Sequence, residues 1–209
     1  MKMKKIIIPG LFLFLLTLGT FGCLTHKKAT ATPAPVVVKL DSAIRWVSLA
    51  EAQKLDSIAP RKIFLDISTS WCGWCKTMDA NTFRNPTIAT YMNKTYYCVH
   101  FDAETRDTVI FNGQKFWNAG PVGQRSANNF AITVLQGRLS YPSFAFISKN
   151  RMTFTIMQGY MSPQQFEPYI HYYGEEKEST VQYDEFMKTF KSELPASDLN
   201  QPTPVPAPH

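Results

Sequence analysis

The chain is poor in cysteine, glycine and charge. Four cysteines in 209 residues exclude a small disulfide-stapled scaffold, in which bridges replace a core. Ten glycines against fourteen prolines, with the prolines crowded toward both ends, exclude a chain that is compact throughout. Charged residues make up only 18%, and the formal charge of +6 owes much to Lys2, Lys4 and Lys5. Without residues 1–22, 19 basic side chains face 16 acidic ones, a net of +3, too weak and scattered to point to nucleic acid. Cys72 and Cys75 form a Cys-x-x-Cys with no second paired motif to complete a zinc site. His26, Cys98, His100, His171 and His209 are all isolated, so no metal or cofactor is expected.

What is present begins with an address. A basic start over residues 1–5 precedes a nearly unbroken apolar run over 6–22 that ends Thr20-Phe21-Gly22-Cys23. A positive end, an apolar stretch and small residues before a cut describe an export signal. Seventeen residues containing Pro9 and Gly10 lie at the short limit for spanning a bilayer. The placement of Cys23 resembles the lipobox of bacterial lipoproteins, although Thr20 stands where that pattern has an aliphatic residue. The resemblance implies lipidation at Cys23 and anchoring to a membrane in the periplasm or cell envelope. A soluble exported form and an uncleaved anchor are the alternatives, and all three lie outside the reducing cytosol. Residues 23–39 are a Pro-rich tether, 40–192 the foldable part, and 193–209 a Pro-rich tail expected to be disordered.

Within the foldable part, Ser48 and Glu51 have capping-box spacing for a helix over 48–58. The apolar runs 62–68 and 95–101 predict strands, and Pro86 opens a helix to about 92. Asn112-Gly113 joins a hairpin. Ser126 is expected to cap a helix with an apolar stripe through Phe130 and Val134, ended by Gly137. Residues 143–148 and 152–157 predict two more strands. Ser162-Pro163-Gln164-Gln165 starts a helix that Pro168 should bend, and a last amphipathic helix spans 181–190. The fold class is α/β with a mixed sheet.

Cys72 and Cys75 fall where the strand over 62–68 gives way to a helix. Unpaired N–H groups and the helix dipole favour a thiolate at that position, and the thiolate is the nucleophile of disulfide exchange. On this logic Cys72 attacks, and Cys75, one turn along, resolves the mixed disulfide. Asp66 needs a reason to sit inside an apolar strand, because a buried carboxylate without a partner is costly.

Trp71-Cys72-Gly73-Trp74-Cys75-Lys76, with Asp66 six residues before Cys72 and Tyr141-Pro142 just before a late strand, resembles the thioredoxin family over about residues 45–175. Gly159 matches a further glycine of the pattern. The resemblance implies a thioredoxin-like fold with a hairpin and helix inserted over 103–137 and an extra helix after 175. Asp66 then accepts the Cys75 proton, and Trp71 shields the site. Gly73 and Trp74 set the local geometry and redox poise, and Tyr141 and a cis Pro142 hold substrate. Trp74 replaces the usual proline. Cys98 lies on the strand where the family carries a lysine near the buried acid, and is read as an ordinary buried thiol. His100 is read as structural, and the aromatics Phe111, Phe116 and Trp117 as core of the insertion, with a lid over the substrate groove as the alternative.

The implied activity is thiol–disulfide exchange with protein thiols and an upstream redox partner, in the reductive direction. Oxidase or isomerase service, or a client-binding module that uses the cysteines as a latch, are the alternatives.

Overall fold

A computed structural model describes residues 43–199. The export signal, Cys23, the tether and residues 200–209 lie outside the described residues. No helix among those described is long and apolar enough to cross a membrane.

A five-stranded sheet organises the domain. Its strands are β1 (Trp46–Val47), β2 (Lys62–Ser68), β3 (Tyr96–Asp102), β6 (Ser143–Ile147) and β7 (Phe154–Gln158), in the spatial order β1-β3-β2-β6-β7. The first three pair in parallel, and β6 and β7 add antiparallel. A separate hairpin joins β4 (Val109–Phe111) to β5 (Gln114–Phe116). The helices α1 (Leu49–Ile58), α2 (Gly73–Asn81), α3 (Pro86–Thr95) and α5 (Pro163–Gly174) flank the sheet. This mixed α/β sheet is the thioredoxin-like fold.

Every residue of β2 is buried, as expected of a central strand covered on both faces. Alternation along the strand separates two cores. Ile63, Leu65 and Ile67 pack with Leu49 of α1 and with the insertion. Phe64 faces the other way, onto Met78 of α2, Ile88 of α3 and Phe166 of α5. The same alternation puts Asp66 on the Phe64 side, the side covered by α2.

Local sequence explains the helix starts. Ser48 Oγ accepts the Glu51 N–H at the head of α1. The Asn85 side chain accepts two N–H groups ahead of Pro86, and Ser162 and Gln165 complete a reciprocal capping box on α5. The hairpin turns at Asn112 and Gly113, with φ of 49° and 79°, as a type I′ connection requires.

Three expectations are corrected. Asn128, not Ser126, caps α4 (Asn129–Val134). Its Oδ1 accepts the Phe130 N–H at 2.9 Å, and its amide donates to the Thr105 and Asp107 carbonyls. Ser126 bonds Asn118 and Arg106 instead. Among the insertion aromatics, Phe111 and Phe116 join Phe130 in the core, whereas Trp117 is 54% exposed. The order also continues beyond residue 192. Leu194 is buried against the Phe166 core, and α7 spans Ala196–Leu199. The buried Glu167 carboxylate accepts from Ser192 Oγ and from the Glu193 N–H. The last helix of the 175–190 segment, α6 (Tyr183–Thr189), lies within the predicted stretch and buries Phe186.

Candidate active site

Strand β2 ends at Ser68, and a short turn delivers Cys72 to the N-cap of α2, with φ −74° and ψ 102°. Its Sγ accepts the Cys75 N–H at 3.1 Å, one of the helix-end donors that lack a partner within the helix. Cys72 and Cys75 are joined as a disulfide with their Cα atoms 5.3 Å apart. The two cysteines are about equally buried, at 5% and 4% exposure. What separates them is position, since Cys72 stands at the mouth of the helix and Cys75 inside its first turn.

Trp71 is fixed from three sides. Its Nε1–H donates to the Glu104 carboxylate at 3.0 Å, the Arg125 guanidinium lies 4.3 Å from its ring, and Tyr141 meets it edge-on at 5.9 Å. Glu104 and Arg125 both come from the insertion, so the extra segment is built against the motif. The Tyr141–Pro142 peptide is cis, and the Pro142 carbonyl accepts the Gly159 N–H at 2.8 Å. The Trp71–Tyr141 contact brings this loop to the cysteine motif. Gly73 opens α2, and the Trp74 ring rests on Tyr160 at 5.1 Å.

Asp66 is 2% exposed but has a partner. His100 Nδ1 lies 2.7 Å from its Oδ2, and His100 Nε2 lies 3.2 Å from Ser68 Oγ. The cause is register, because β2 and β3 pair in parallel with Asp66 directly opposite His100. Cys98 pairs with Phe64 instead and is a buried free thiol, whose proton burial holds tightly. The residue beside the acid is therefore His100 rather than Cys98. The runs predicted over 62–68 and 95–101, aligned first residue to first, set Asp66 against Val99, and the observed register is one residue further along.

Burial pushes the Asp66 carboxyl above the ordinary carboxylate range, and the His100 hydrogen bond and charge pull it part of the way back. His100 is raised, chiefly by its bond to Asp66 and against its own partial burial. Asp79, on α2, is raised by burial and by the Asp66 charge. A cleft of about 280 Å³ opens beside them, bordered by Ser68, Thr69, Cys75, Asp79, His100 and Asp102, with Asp66 behind His100 and off its lining. Asp66, Asp79 and His100 bring potential metal-ligand atoms within 4.8 Å of one another, but the Asp66–His100 bond already engages one atom from each partner.

Residues 29–119 match the family Thioredox_DsbH, described as a protein of unknown function, DUF255. No curated protein matches the chain. Among solved structures, a DsbH oxidoreductase is 18% identical, covering 63% of this chain and 85% of its own, with a TM-score of 0.45. A thioredoxin-fold protein from Helicobacter pylori is 14% identical, with coverages of 61% and 78% and a TM-score of 0.46. A candidate disulphide-isomerase from Bacteroides thetaiotaomicron is 22% identical, with coverages of 66% and 98% and a TM-score of 0.45. By its sheet order and its cysteine pair at the head of α2 the chain has a thioredoxin-like fold, and over residues 29–119 it is similar to the Thioredox_DsbH family.

Proposed function

We propose that the protein is an envelope thiol–disulfide oxidoreductase that cycles Cys72 and Cys75 between dithiol and disulfide, working in the reductive direction. The observation that carries this reading is a disulfide whose first sulfur occupies the N-cap of α2 and accepts a helix-end N–H. Anionic sulfur is favoured there for the same reason that any anion is favoured at a helix N-terminus. In the reduced protein the Cys72 thiolate attacks a substrate disulfide and releases one substrate thiolate. The Cys75 thiolate then attacks Cys72 Sγ, closing the internal disulfide and releasing the second substrate sulfur. Two electrons leave the protein, and an upstream dithiol restores them. Tyr141 and Pro142, held beside Trp71, border the approach of the substrate backbone. Export and lipidation at Cys23 place the cycle at a membrane outside the cytosol.

Insulin reduction with a dithiol donor tests the reading. Wild type turns over, Cys72→Ser does not, and Cys75→Ser accumulates substrates as mixed disulfides on Cys72. Equal turnover by wild type and Cys72→Ser would remove the assignment. A reduction potential near that of general reductants supports the direction, and one near that of strong oxidants reverses it. Loss of Cys23→Ser from the membrane fraction tests the anchor.

A further inference from the structure

We propose that the base for the resolving thiol is His100, acting through the cleft it shares with Cys75, and that Asp66 is the positioning residue that orients it and stabilises the imidazolium it forms. The proposal rests on the oxidoreductase reading above and assigns the proton step within it.

Geometry separates the two candidates. The Asp66 carboxylate is 2% exposed and its Oδ2 is engaged by His100 Nδ1. The imidazole spans the boundary of the buried region, with Nδ1 turned inward to Asp66 and Nε2 turned to Ser68 Oγ, a hydroxyl on the cleft wall. A carboxylate behind Nδ1 with Nε2 facing the reacting group is the arrangement by which an acid orients a histidine base and stabilises its imidazolium. The cleft of about 280 Å³ that His100 and Cys75 both border is several times the share of one water molecule, roughly 30 Å³, so a proton can cross through water or the Ser68 hydroxyl.

The step balances as follows. With substrate sulfur bound to Cys72 Sγ, the Cys75 S–H proton passes to His100 Nε2, giving an imidazolium paired with the Asp66 carboxylate. The Cys75 thiolate forms its bond to Cys72 Sγ as the Cys72–substrate bond breaks. The substrate leaves as a thiolate, and Nε2 returns the proton to it or to solvent. The other groups facing His100 stabilise the imidazolium that forms when it takes the proton. Asp79 from α2 and Asp102 at the end of β3 border the same cleft and favour the imidazolium, and the Trp46 ring of β1 meets His100 edge-on at 5.6 Å. Lys76 of α2 is the one opposing charge among the residues bordering that cleft. The bond to Asp66 raises the proton affinity of His100, with partial burial opposing it.

The test uses the full chain carrying Cys23→Ser, reduced and mixed with 5,5′-dithiobis(2-nitrobenzoate). The first coloured thiolate released reports attack by Cys72, and the second reports closure by Cys75. His100→Gln keeps a donor to Asp66 but cannot titrate. It should leave the first release within a few-fold of wild type and slow the second roughly 100-fold at pH 7. The gap should narrow at alkaline pH, where hydroxide ionises Cys75 directly. Added imidazole should speed closure in His100→Ala and not in Asp66→Asn. Closure in His100→Gln within about twofold of wild type at every pH, or equal slowing of both releases, overturns the proposal. A first release that persists in Cys72→Ser removes the oxidoreductase reading instead.

Discussion

Asp66 and His100 face each other across adjacent parallel strands, and the 2.7 Å bond between them joins a carboxylate sealed inside the domain to an imidazole whose side chain is 42% exposed. The proton affinity of both groups is raised in the folded protein. The folded state therefore binds more protons than the unfolded chain, from the ordinary carboxylate range up through the histidine range. Stability falls with rising pH wherever the folded state holds the excess. The oxidised protein should accordingly lose stability as pH rises from about 4 to 8. Asp66→Asn keeps an acceptor for His100 and removes the buried charge. It should flatten that slope, so that its stability relative to wild type rises between about pH 4 and about pH 8. Urea unfolding at several pH values measures both. A wild type that gains stability with rising pH would contradict the shifts.

Trp71 is held by the insertion through Glu104 and Arg125. A cation over an exposed aromatic ring contributes only about 0.5–1 kcal/mol, so Glu104→Ala with Arg125→Ala should change global stability by about 1 kcal/mol. Its effect belongs on substrate positioning. The double variant should reduce a small aromatic disulfide at the wild-type rate while the KM for insulin rises several-fold. Unchanged insulin kinetics would show that the clamp on Trp71 has no part in protein recognition.

Residues 192–194 close over Glu167, a carboxylate 1% exposed. A chain ending at Lys191 loses the burial of Leu194, about 1.5–3 kcal/mol, and strands a polar group at about 1–3 kcal/mol more. Denaturant unfolding should show a loss of about 3 kcal/mol or more, partly recovered by Glu167→Gln in the same truncated chain. A loss under about 1 kcal/mol would mean that the terminal segment contributes no packing.

Local chemistry made much of this fold legible. The run at β2 is continuous because both faces are covered, Asn112-Gly113 dictates its own turn, and the residues from Ser162 to Gln165 carry a complete helix start. The failures are tertiary. Ser126 and Asn128 both suit an N-cap. The choice falls to Asn128 because its amide also reaches the Thr105 and Asp107 carbonyls across the insertion. Strand β1 is two residues long, too short to show a period. Leu194 is one apolar residue in a Pro-rich stretch, and tertiary contacts order it: its packing on the Phe166 core and the bonds of Ser192 and Glu193 to Glu167. At the site, the motif gave the cysteines, Trp71, Asp66 and Pro142. The partner of Asp66 depended on strand register, which no run of neighbouring residues encodes.

The account turns on Cys72 being the exchanging sulfur. Because the two cysteines are equally buried, access cannot distinguish them, and only the helix N-cap favours Cys72. Alkylation of the fully reduced protein with limiting iodoacetamide at pH 7, followed by mass mapping, tests this directly. The prediction is that Cys72 is modified at least roughly tenfold faster than Cys75, as a thiol ionised at a helix N-terminus should be. Equal labelling of the two, or faster labelling of Cys75, would contradict it.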